Sequence, residues 1–583
     1  MWKTLGAQVR QYKLVSFMTP VWMVGEVVCE MIIPVYMGLI VDNGIYGQDM
    51  HYIVTTGIKM LIVALLGFFS GCMGGFCGAK ASAGFAKNLR KAMNDNIQTF
   101  SFENIDKFST SSLVTRLTTD VTNMQNAYQM ILRMGVRAPM SMIIAMIMSY
   151  VLSPRISSIY LIAVIILGVI IALITRSATN YFQKVFEKYD LLNESVQENV
   201  SAIRVVKAYV REDYEINKFQ KASANIYLMF VKAELRLDGM FPIMSGMVYG
   251  VILLISWVGA HMIISDQLTT GALMSLLTYC MNILMSLMML SMVFVMITMS
   301  TASARRIAEV ITEKTTISNP ENPIMDVRDG SIVFDHVNFS YHKDSKEPVL
   351  KDICLSIRPG ETIGIIGSTG SAKSSLVSLI SRLYDVTDGS VSVGGVDVRK
   401  YDLKTLRKNV AVVLQKNVLF SGTIYDNLRW GNKEATEEEC RRACRLACAD
   451  EFIDRMPQGY NTYIEQGGSN VSGGQKQRLC IARALMMNPK VLILDDSTSA
   501  VDTATDAKIR KSFREDIPGT TKLIIAQRIS SVQDCDRVIV MDNGTINGFD
   551  TPENLVVNNK IYREVYESQT GAGNDNADFD EKD

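Results

Sequence analysis

Six long apolar stretches alternate with polar connections along the first half of the chain. The stretches cover residues 14–40, 53–79, 134–152, 156–174, 241–264 and 273–299. A helix needs ~20 apolar residues to cross the ~30 Å of hydrocarbon in a bilayer, and each stretch has about that length or more. The pattern therefore predicts six membrane-spanning helices.

The basic residues of this half lie mainly in two long connections, residues 80–133 and 175–240. The three short connections together carry a single basic residue, Arg155. Because positively charged connections stay in the cytoplasm, we expect both long connections and both termini to be cytoplasmic. The turns near 111–120 and 201–209 mix apolar with polar residues, which suits docking to another domain. A solvated helical hairpin is the alternative.

Two acidic residues and an aromatic residue share one face of the first span. Trp22, Glu26 and Glu30 follow one another at intervals of one helical turn. Ionised groups at this depth are costly and usually face a cavity, so these three residues are candidate substrate contacts. A structural role, with both acids protonated or bonded to another helix, is an equally good interpretation.

Methionines follow one face of the sixth span. They are Met281, Met285, Met288, Met292, Met296 and Met299. Helix packing is the favoured interpretation, but flexible, polarisable side chains also suit a surface that accepts varied apolar ligands. In that case Met285 and Met292 are the substrate candidates.

Small residues recur every four positions along the second span. They are Gly67, Gly71, Gly75 and Ala79. We expect a neighbouring helix to approach closely along this row, which is a packing feature rather than a chemical site.

The periodicity changes after Arg306, where short β-branched runs separated by glycine turns predict an α/β domain. The run 361–366 leads directly into a Gly-Ser-Thr-Gly-Ser-Ala-Lys-Ser loop and then an apolar helical pattern, the context of a phosphate-binding loop. Backbone N–H groups and Lys373 would bind phosphates, and the Ser374 hydroxyl would bind Mg²⁺. The residues predicted to bind ATP are Gly367, Ser368, Thr369, Gly370, Ser371, Ala372, Lys373, Ser374 and Ser375.

The loop departs from its usual pattern at Ala372, where a glycine normally precedes the lysine. The methyl group lies where the backbone approaches phosphate, so we expect weaker ATP binding or a shifted loop. Far downstream, the apolar run 491–494 ends at Asp495 and Asp496. A carboxylate delivered by such a buried strand is a metal ligand, so Asp495 is the second Mg²⁺ candidate.

Composition narrows the classes of function. Of the 583 residues, 48% are hydrophobic, and Lys plus Arg and Asp plus Glu both number 59, so no global field favours nucleic acid. The ten cysteines show no paired framework, which argues against a disulfide-stapled secreted protein. We interpret Cys440, Cys444 and Cys448, on one helix face without a fourth metal ligand nearby, as packing residues.

Between the phosphate loop and Asp495 stands the motif Val471-Ser-Gly-Gly-Gln475. The phosphate loop, this signature motif and the acidic strand, in this order and after six spans, resemble the ATP-binding cassette transporters. The resemblance covers nearly the whole chain. It is closest to exporter-type half-transporters, which fuse six spans to one cassette.

The resemblance implies roles for residues outside the phosphate loop. Tyr341 would stack on adenine, and Gln415 would sense Mg²⁺ and the membrane domain. Asp502 would link two ATP sites. The residues that would contact the γ-phosphate held by a second cassette are Ser472, Gly473, Gly474 and Gln475.

Two departures from the family concern catalysis. Asp496 stands where the family has its catalytic glutamate, and Gln527 stands where it has its switch histidine, while no histidine occurs after position 342. Loss of a well-placed base costs on the order of 10²- to 10⁴-fold in rate. We therefore expect this ATP site, with its catalytic positions Asp496, Gln527 and Gln415, to bind ATP and hydrolyse it poorly.

The signature motif is intact apart from Val471 in place of leucine. An intact signature beside a weakened site resembles the degenerate-site subunit of heterodimeric bacterial multidrug exporters. A slow homodimer is the alternative.

The predicted fold is an α-helical transmembrane domain at residues 1–315, a linker at 316–330, an α/β phosphate-loop cassette at 331–568 and a disordered acidic tail at 569–583. The predicted function is ATP- and Mg²⁺-dependent export of hydrophobic, amphiphilic or cationic compounds across the plasma membrane. The expected partners are membrane lipid and a second, different half-transporter, without nucleic acid. Lipid or peptide translocation and an ATP-gated, channel-like regulatory subunit are the alternatives.

Overall fold

The structure is a computed structural model that describes residues 1–341, 345, 347–497 and 499–571. The chain divides into two compact units. The first unit contains Met1–Gln98 and Thr110–Glu313, and the second contains Thr99–Ser109 and the chain from Lys314 onward. The fold is an α-helical transmembrane domain followed by an α/β cassette domain, as the sequence predicts.

Helices account for the regular structure of the first 313 residues. Their bounds are α1 Trp2–Gly6, α2 Lys13–Leu39, α3 Met50–Ile97, α4 Phe102–Phe108, α5 Thr110–Thr115, α6 Val121–Leu152, α7 Pro154–Ser201, α8 Ile203–Ala208, α9 Glu212–Asp238, α10 Met240–Ile264 and α11 Thr270–Thr312. Three of the long helices begin at capping residues in the short connections, where Asp49, Ser153 and Thr269 accept hydrogen bonds from backbone N–H groups.

Among the described residues, six helical segments are long and apolar enough to cross a membrane. They are Trp2–Ile45, Met50–Ile97, Thr110–Leu152, Pro154–Ile174, Pro242–Ile264 and Thr270–Thr312. The prediction of six spans is confirmed. Several segments are about twice as long as a bilayer needs, because the long connections continue the spans as helices.

Helices α2 and α3 pack through a row of glycines that differs from the predicted one. Added Cβ atoms at Gly67 and Gly71 would lie 3.1 Å from Cys29 and from the Glu26 carboxyl group, and Gly74 and Gly78 also face neighbouring side chains. Gly75 has nothing within 4 Å. The contact row is therefore Gly67, Gly71, Gly74 and Gly78, because a helix has 3.6 residues per turn and its contact line alternates steps of four and three.

The turn near 111–120, for which docking is predicted, makes hydrogen bonds within the first unit. Arg116 donates to the Arg306 carbonyl at 2.8 Å, and Arg306 pairs with the buried Asp120. The segment of this connection that belongs to the second unit is α4, where the Asp106 carboxylate accepts a 2.7 Å hydrogen bond from the Tyr384 hydroxyl.

The second unit contains twelve strands within the described residues. They are β1 Ile332–Phe339, β2 Leu350–Ile357, β3 Thr362–Gly367, β4 Asp388–Val393, β5 Val396–Asp397, β6 Val410–Val413, β7 Gly422–Thr423, β8 Tyr463–Ile464, β9 Val491–Asp495, β10 Thr521–Ile525, β11 Arg537–Asp542 and β12 Thr545–Asp550. The central sheet has the order β12-β11-β3-β10-β9-β6, and its strands are parallel except for β12. A second, antiparallel sheet has the order β2-β1-β4-β5.

Besides α4, nine helices accompany these strands in the described part of the unit. They are α12 Lys373–Ile380, α13 Leu403–Asn409, α14 Ile424–Leu428, α15 Glu437–Leu446, α16 Asp450–Ile453, α17 Gly473–Leu485, α18 Thr503–Asp516, α19 Pro552–Asn558 and α20 Lys560–Thr570. The central sheet separates two hydrophobic cores, and alternate residues of β9 enter each one, as a strand buried on both faces requires.

The three clustered cysteines lie in one of these cores. Cys440, Cys444 and Cys448 are buried, and burial raises the pKa of the Cys444 thiol to about 12. They are absent from the one group of metal-ligating side chains that the described residues bring together. The packing interpretation is confirmed.

The segment predicted as a linker packs along the cassette. Asn319 bonds the Asp402 side chain at 2.6 Å, and Val327 is fully buried. At the other end, the predicted disordered tail starts too early, because α20 continues to Thr570 and ends at Gly571, whose φ of +75° closes the helix. Residues 572–583 lie outside the described residues.

Candidate functional site

The phosphate loop connects β3 to α12. Gly367 ends the strand at φ +154°, and a Cβ there would collide with the Met541 carbonyl on the neighbouring strand. The loop then turns through a 3.2 Å hydrogen bond from Ser371 N–H to the Ser368 carbonyl. Ser368, Thr369 and Gly370 are exposed at the tip. The predicted strand, loop and helix are all present.

Lys373 closes the loop from inside. Its ammonium donates 2.8 Å hydrogen bonds to the carbonyls of Gly367 and Ser368. Burial lowers its pKa, while the nearby carboxylates of Asp495 and Asp496 act in the opposite direction. A cation encircled by loop backbone at a helix N-terminus is the arrangement that binds phosphate oxygens.

Ala372 has a left-handed conformation with φ +72° and ψ +23° directly before α12. Glycine adopts this conformation without strain, whereas alanine brings its methyl group close to its own backbone. The loop therefore contains conformational strain at Ala372.

A hydroxyl and a carboxylate meet beside the lysine. Ser374 donates a 3.0 Å hydrogen bond to Asp495, which is buried at the end of β9. Burial raises the pKa of Asp495. Two hard oxygen donors, one of them on a desolvated carboxylate that a cation would stabilise, fit the ligand chemistry of Mg²⁺.

The two unusual positions that are predicted to be catalytic contact each other. Gln527 donates a 2.9 Å hydrogen bond from its side-chain nitrogen to the Asp496 carboxylate. The parallel pairing of β9 with β10 places Asp495 opposite Ile525, so the residues that follow each strand emerge at the same sheet edge as the phosphate loop. Tertiary structure therefore brings together Lys373, Ser374, Asp495, Asp496 and Gln527.

Tyr341 follows β1 and lies beside the phosphate-loop helix. Its hydroxyl is 2.8 Å from that of Ser375, and its ring packs edge-on against Phe339 and Tyr384. These contacts hold an aromatic ring next to the start of α12.

The signature motif begins α17. Ser472 caps the helix and exchanges hydrogen bonds with Gln475. A Cβ at Gly474 would lie 2.8 Å from the Ala500 carbonyl, whereas one at Gly473 would make only an ordinary 3.5 Å contact with Ala500. Gly474 is therefore required by packing within this chain, and Gly473 is not.

Two further predicted residues lie apart from the loop. Asp502 caps α18 and accepts a 2.9 Å hydrogen bond from Thr505 N–H, which holds the pKa of Asp502 below its usual value. Gln415 is exposed after β6, and its side chain makes no hydrogen bond within the described part of the chain.

Comparison with known families agrees with this arrangement. The profile of the ABC transporter transmembrane region matches residues 17–288, and the ABC transporter profile matches residues 350–499. An uncharacterised ABC transporter ATP-binding protein of Bacillus subtilis, YfiB, is 34% identical over 96% of this chain and 97% of its own. This chain is an ABC half-transporter.

Other relatives of the half-transporter span a similar length. The uncharacterised Mycobacterium tuberculosis protein Rv1273c is 36% identical over 97% of this chain and 98% of its own. The probable multidrug resistance ABC transporter ATP-binding/permease protein YheI of B. subtilis is 32% identical over 83% of each chain. A solved structure of a bacterial Atm1-family ABC exporter with ATP bound shares the fold, with a TM-score of 0.80, 23% identity and coverage of 97% and 98%.

Motif analysis missed a residue of the half-transporter that hydrogen-bonds the backbone around Gln527, at the predicted switch position. Gln569, on α20, donates to the Gln527 carbonyl at 3.0 Å and accepts from Ile529 N–H at 2.8 Å. The two hydrogen bonds therefore fix the backbone on both sides of Arg528. No local pattern marks Gln569, because its partners are about forty positions away in sequence.

A second missed residue lies in the membrane. Arg137, on α6, donates to Glu26 at 2.8 Å and to Glu30 at 3.0 Å. It falls inside the third apolar stretch, and a charge within a predicted span was the signal that could have identified it. The two acids are thus bonded to another helix, as one of the two interpretations predicted. The third residue of that face, Trp22, packs edge-on against Phe69.

The methionine row of α11 is largely uncovered within this chain. Met281, Met285, Met292 and Met299 are exposed, whereas Met288 packs against the helical core. Most of this face is therefore open to lipid, to substrate or to another chain.

Proposed function

We propose that this half-transporter is the degenerate-site subunit of a heterodimeric, ATP-driven exporter. The observation that carries the proposal is the 2.9 Å hydrogen bond between Gln527 and Asp496. At the two positions that would activate water and contact the γ-phosphate, the chain has a shortened carboxylate already bonded to a carboxamide. A carboxamide cannot exchange a proton near neutral pH, so the pair binds nucleotide without an efficient general base.

ATP binding itself is well supported at this site. Lys373 and the N-terminus of α12 would bind the phosphates, Ser374 and Asp495 would hold Mg²⁺, and Tyr341 would contact adenine. Mg²⁺, when bound, neutralises charge on the β- and γ-phosphates. The chain's own contribution at Asp496 and Gln527 is to orient groups around the γ-phosphate rather than to remove a proton.

The signature motif supports a complementary role. Ser472 and Gly473 begin a helix whose exposed N-terminus carries unpaired N–H groups, and Gly473 leaves its surface open. We infer that this end of α17 contacts the γ-phosphate bound by a different subunit whose own glutamate and histidine are present. One chain then supplies the signature for catalysis and the other supplies the base.

The second long connection fits docking to that partner. Its end, around α8, exposes Val205, Tyr209 and Val210, and an apolar cleft of about 510 Å³ lies between α7 and α9. Exposure of these apolar side chains to water is unfavourable. We therefore propose that a partner cassette in the cytoplasm packs against them and buries them. We accordingly propose that both termini and the cassette lie on the cytoplasmic side of the plasma membrane.

Hydrophobic or amphiphilic compounds are the proposed substrates. The exposed Met285 and Met292 offer a polarisable apolar surface, and Glu26 and Glu30 carry one more charge than Arg137 neutralises, which favours a cation. The relative YheI is named as a probable multidrug resistance transporter, which points to the same substrate class.

Co-expression with an adjacent half-transporter gene tests the proposal. The purified pair, reconstituted in vesicles with ATP, should accumulate dye against its gradient, whereas an ATP-gated channel can only dissipate one. Stable homodimers with full ATPase activity and dye accumulation in the absence of a second subunit would contradict the heterodimer assignment.

A further inference from the structure

Three different metal-ligating side chains meet on the antiparallel sheet of the cassette, away from the ATP site. His336 lies on β1, and Asp352 and Cys354 lie on the neighbouring strand β2. The His336 Nδ1 atom is 2.6 Å from an Asp352 carboxylate oxygen and 3.6 Å from the Cys354 sulfur. All three ligand atoms lie within 4.8 Å of one another.

The convergence results from irregular backbone on both strands. The register between β1 and β2 shifts around Val337, and both His336, at φ +47°, and Asp352, at φ +46°, are left-handed. Non-glycine residues rarely adopt this conformation. Two facing bulges therefore turn His336 and Asp352 outward, onto the face of the sheet where Cys354 is also exposed.

The chemistry of the three ligands is specific. An imidazole, a thiolate and a carboxylate are the ligands of tetrahedral zinc, with bond lengths of about 2.0 to 2.3 Å. The three ligand atoms already lie within 4.8 Å of one another, so only small side-chain movements would bring all three to bonding distance of one ion. A water molecule can occupy the fourth coordination position.

We propose that His336, Asp352 and Cys354 form a binding site for a borderline divalent metal ion of the Zn²⁺ class. The site is solvent-accessible and has an open coordination position, so binding would be reversible. It lies on β1 three residues before the strand ends at Phe339, and Phe339 contacts the ring of Tyr341. An ion there would fasten the bulges of β1 and β2 together.

Cobalt titration of the full-length protein in lipid nanodiscs tests the site, because tetrahedral Co²⁺ bound to a thiolate has distinctive absorption. The wild-type protein should show a saturable charge-transfer band at one Co²⁺ per chain, which Zn²⁺ should displace. Cys354→Ser should abolish the band. The matched control is Cys72→Ser, which removes the other exposed cysteine of the chain, on α3, and should leave the band unchanged.

Isosteric variants of the other ligands complete the test. His336→Gln and Asp352→Asn should each weaken Co²⁺ binding by about 100-fold or more, because loss of an outer-shell contact alone costs about 10- to 100-fold. Melting temperatures should stay close to wild type, since all three side chains are exposed. A band that survives Cys354→Ser, that disappears in Cys72→Ser, or that never saturates at one equivalent would overturn the proposal.

Discussion

Ala372 is the residue at which the phosphate loop contains conformational strain. Its φ of +72° is one that glycine adopts freely, and alanine in this region costs about 1–2 kcal/mol. We predict that Ala372→Gly raises the free energy of unfolding of the cassette by up to about 1 kcal/mol, since glycine also gains entropy when unfolded, and that it tightens ATP binding. Denaturant unfolding and nucleotide titration measure the two effects.

The matched control for this change is Ala507→Gly. Ala507 is exposed in the middle of α18, where the backbone is right-handed, so glycine there should destabilise by about 1 kcal/mol. If both substitutions destabilise alike, the left-handed conformation of Ala372 contains no strain that glycine can release.

We expect the pair of Asp496 and Gln527 to determine the rate at which this site hydrolyses ATP. Because the carboxylate is already short and bonded, Asp496→Asn should leave the ATPase activity of the assembled pair nearly unchanged. The combined change Asp496→Glu with Gln527→His should raise hydrolysis at this site by about 10²-fold or more. The rate is measured in a complex whose partner site has been disabled, with the two single changes as controls. Loss of all turnover in Asp496→Asn would show that this site is the catalytic one.

At the scale of elements, α20 acts on the switch position through Gln569. The two hydrogen bonds to backbone at Gln527 and Ile529 are worth about 1 kcal/mol each. We predict that Gln569→Leu releases ATP from this site up to about tenfold faster, because the switch loop loses its tether. Stopped-flow release of a fluorescent ATP analogue measures the rate.

Two variants of the same helix separate tethering from general damage to α20. Gln569→Glu keeps an acceptor for Ile529 N–H but loses the donor to Gln527, so its effect should be intermediate. Ser568→Leu, at the neighbouring exposed position, should behave like wild type. Equal acceleration in Gln569→Leu and Ser568→Leu would contradict the specific role of the glutamine.

The contact of α2 with α6 decides the role of the intramembrane charges. Glu26 and Glu30 share one arginine, Arg137, so the triad has a net charge of −1 when all three groups are ionised. We predict that Glu26→Gln with Glu30→Gln lowers efflux of a cationic dye more than efflux of a matched neutral dye, by direct loss of Coulomb attraction.

The same double variant leaves Arg137 unpaired, so a triple variant that adds Arg137→Gln is the matched control. Removing all three charges should restore the melting temperature without restoring transport of the cation. Equal loss for both dyes, together with a lower melting temperature that the triple variant repairs, would assign the triad to helix packing alone.

At the scale of the whole molecule, catalysis is predicted to require two different chains. Gly474→Asp is a poor test because its Cβ would press on the Ala500 carbonyl of the same chain at 2.8 Å. Gly473→Asp adds only an ordinary contact, yet it would place a carboxylate near the γ-phosphate of the partner's site. We predict that it stops turnover of the assembled pair while ATP binding to this chain's own site persists.

An exposed glycine far from the motif provides the control. Gly519 has nothing within 4 Å of an added Cβ, so Gly519→Asp should leave ATPase activity unchanged. Wild-type hydrolysis in Gly473→Asp would rule out the head-to-tail arrangement of the two cassettes.

The sequence by itself determined the six spans and the order of the nucleotide motifs. Both depend on signals contained in short windows, because a bilayer demands an uninterrupted apolar helix and a phosphate loop demands glycines, lysine and serine at set spacings. The meeting of Asp495, Asp496 and Gln527 was also foreseeable, since parallel strands bring residues at their carboxyl ends to one edge.

Only the tertiary structure decided which distant side chains complete these features. Arg137 lies 111 positions from Glu26, Tyr384 lies 278 from Asp106, and Gln569 lies 42 from Gln527. The glycine row of α3 likewise depends on how α2 crosses it, which shifted the contact from Gly75 to Gly74. Such contacts are set by the packing angles of whole helices and strands, and no local pattern records those angles.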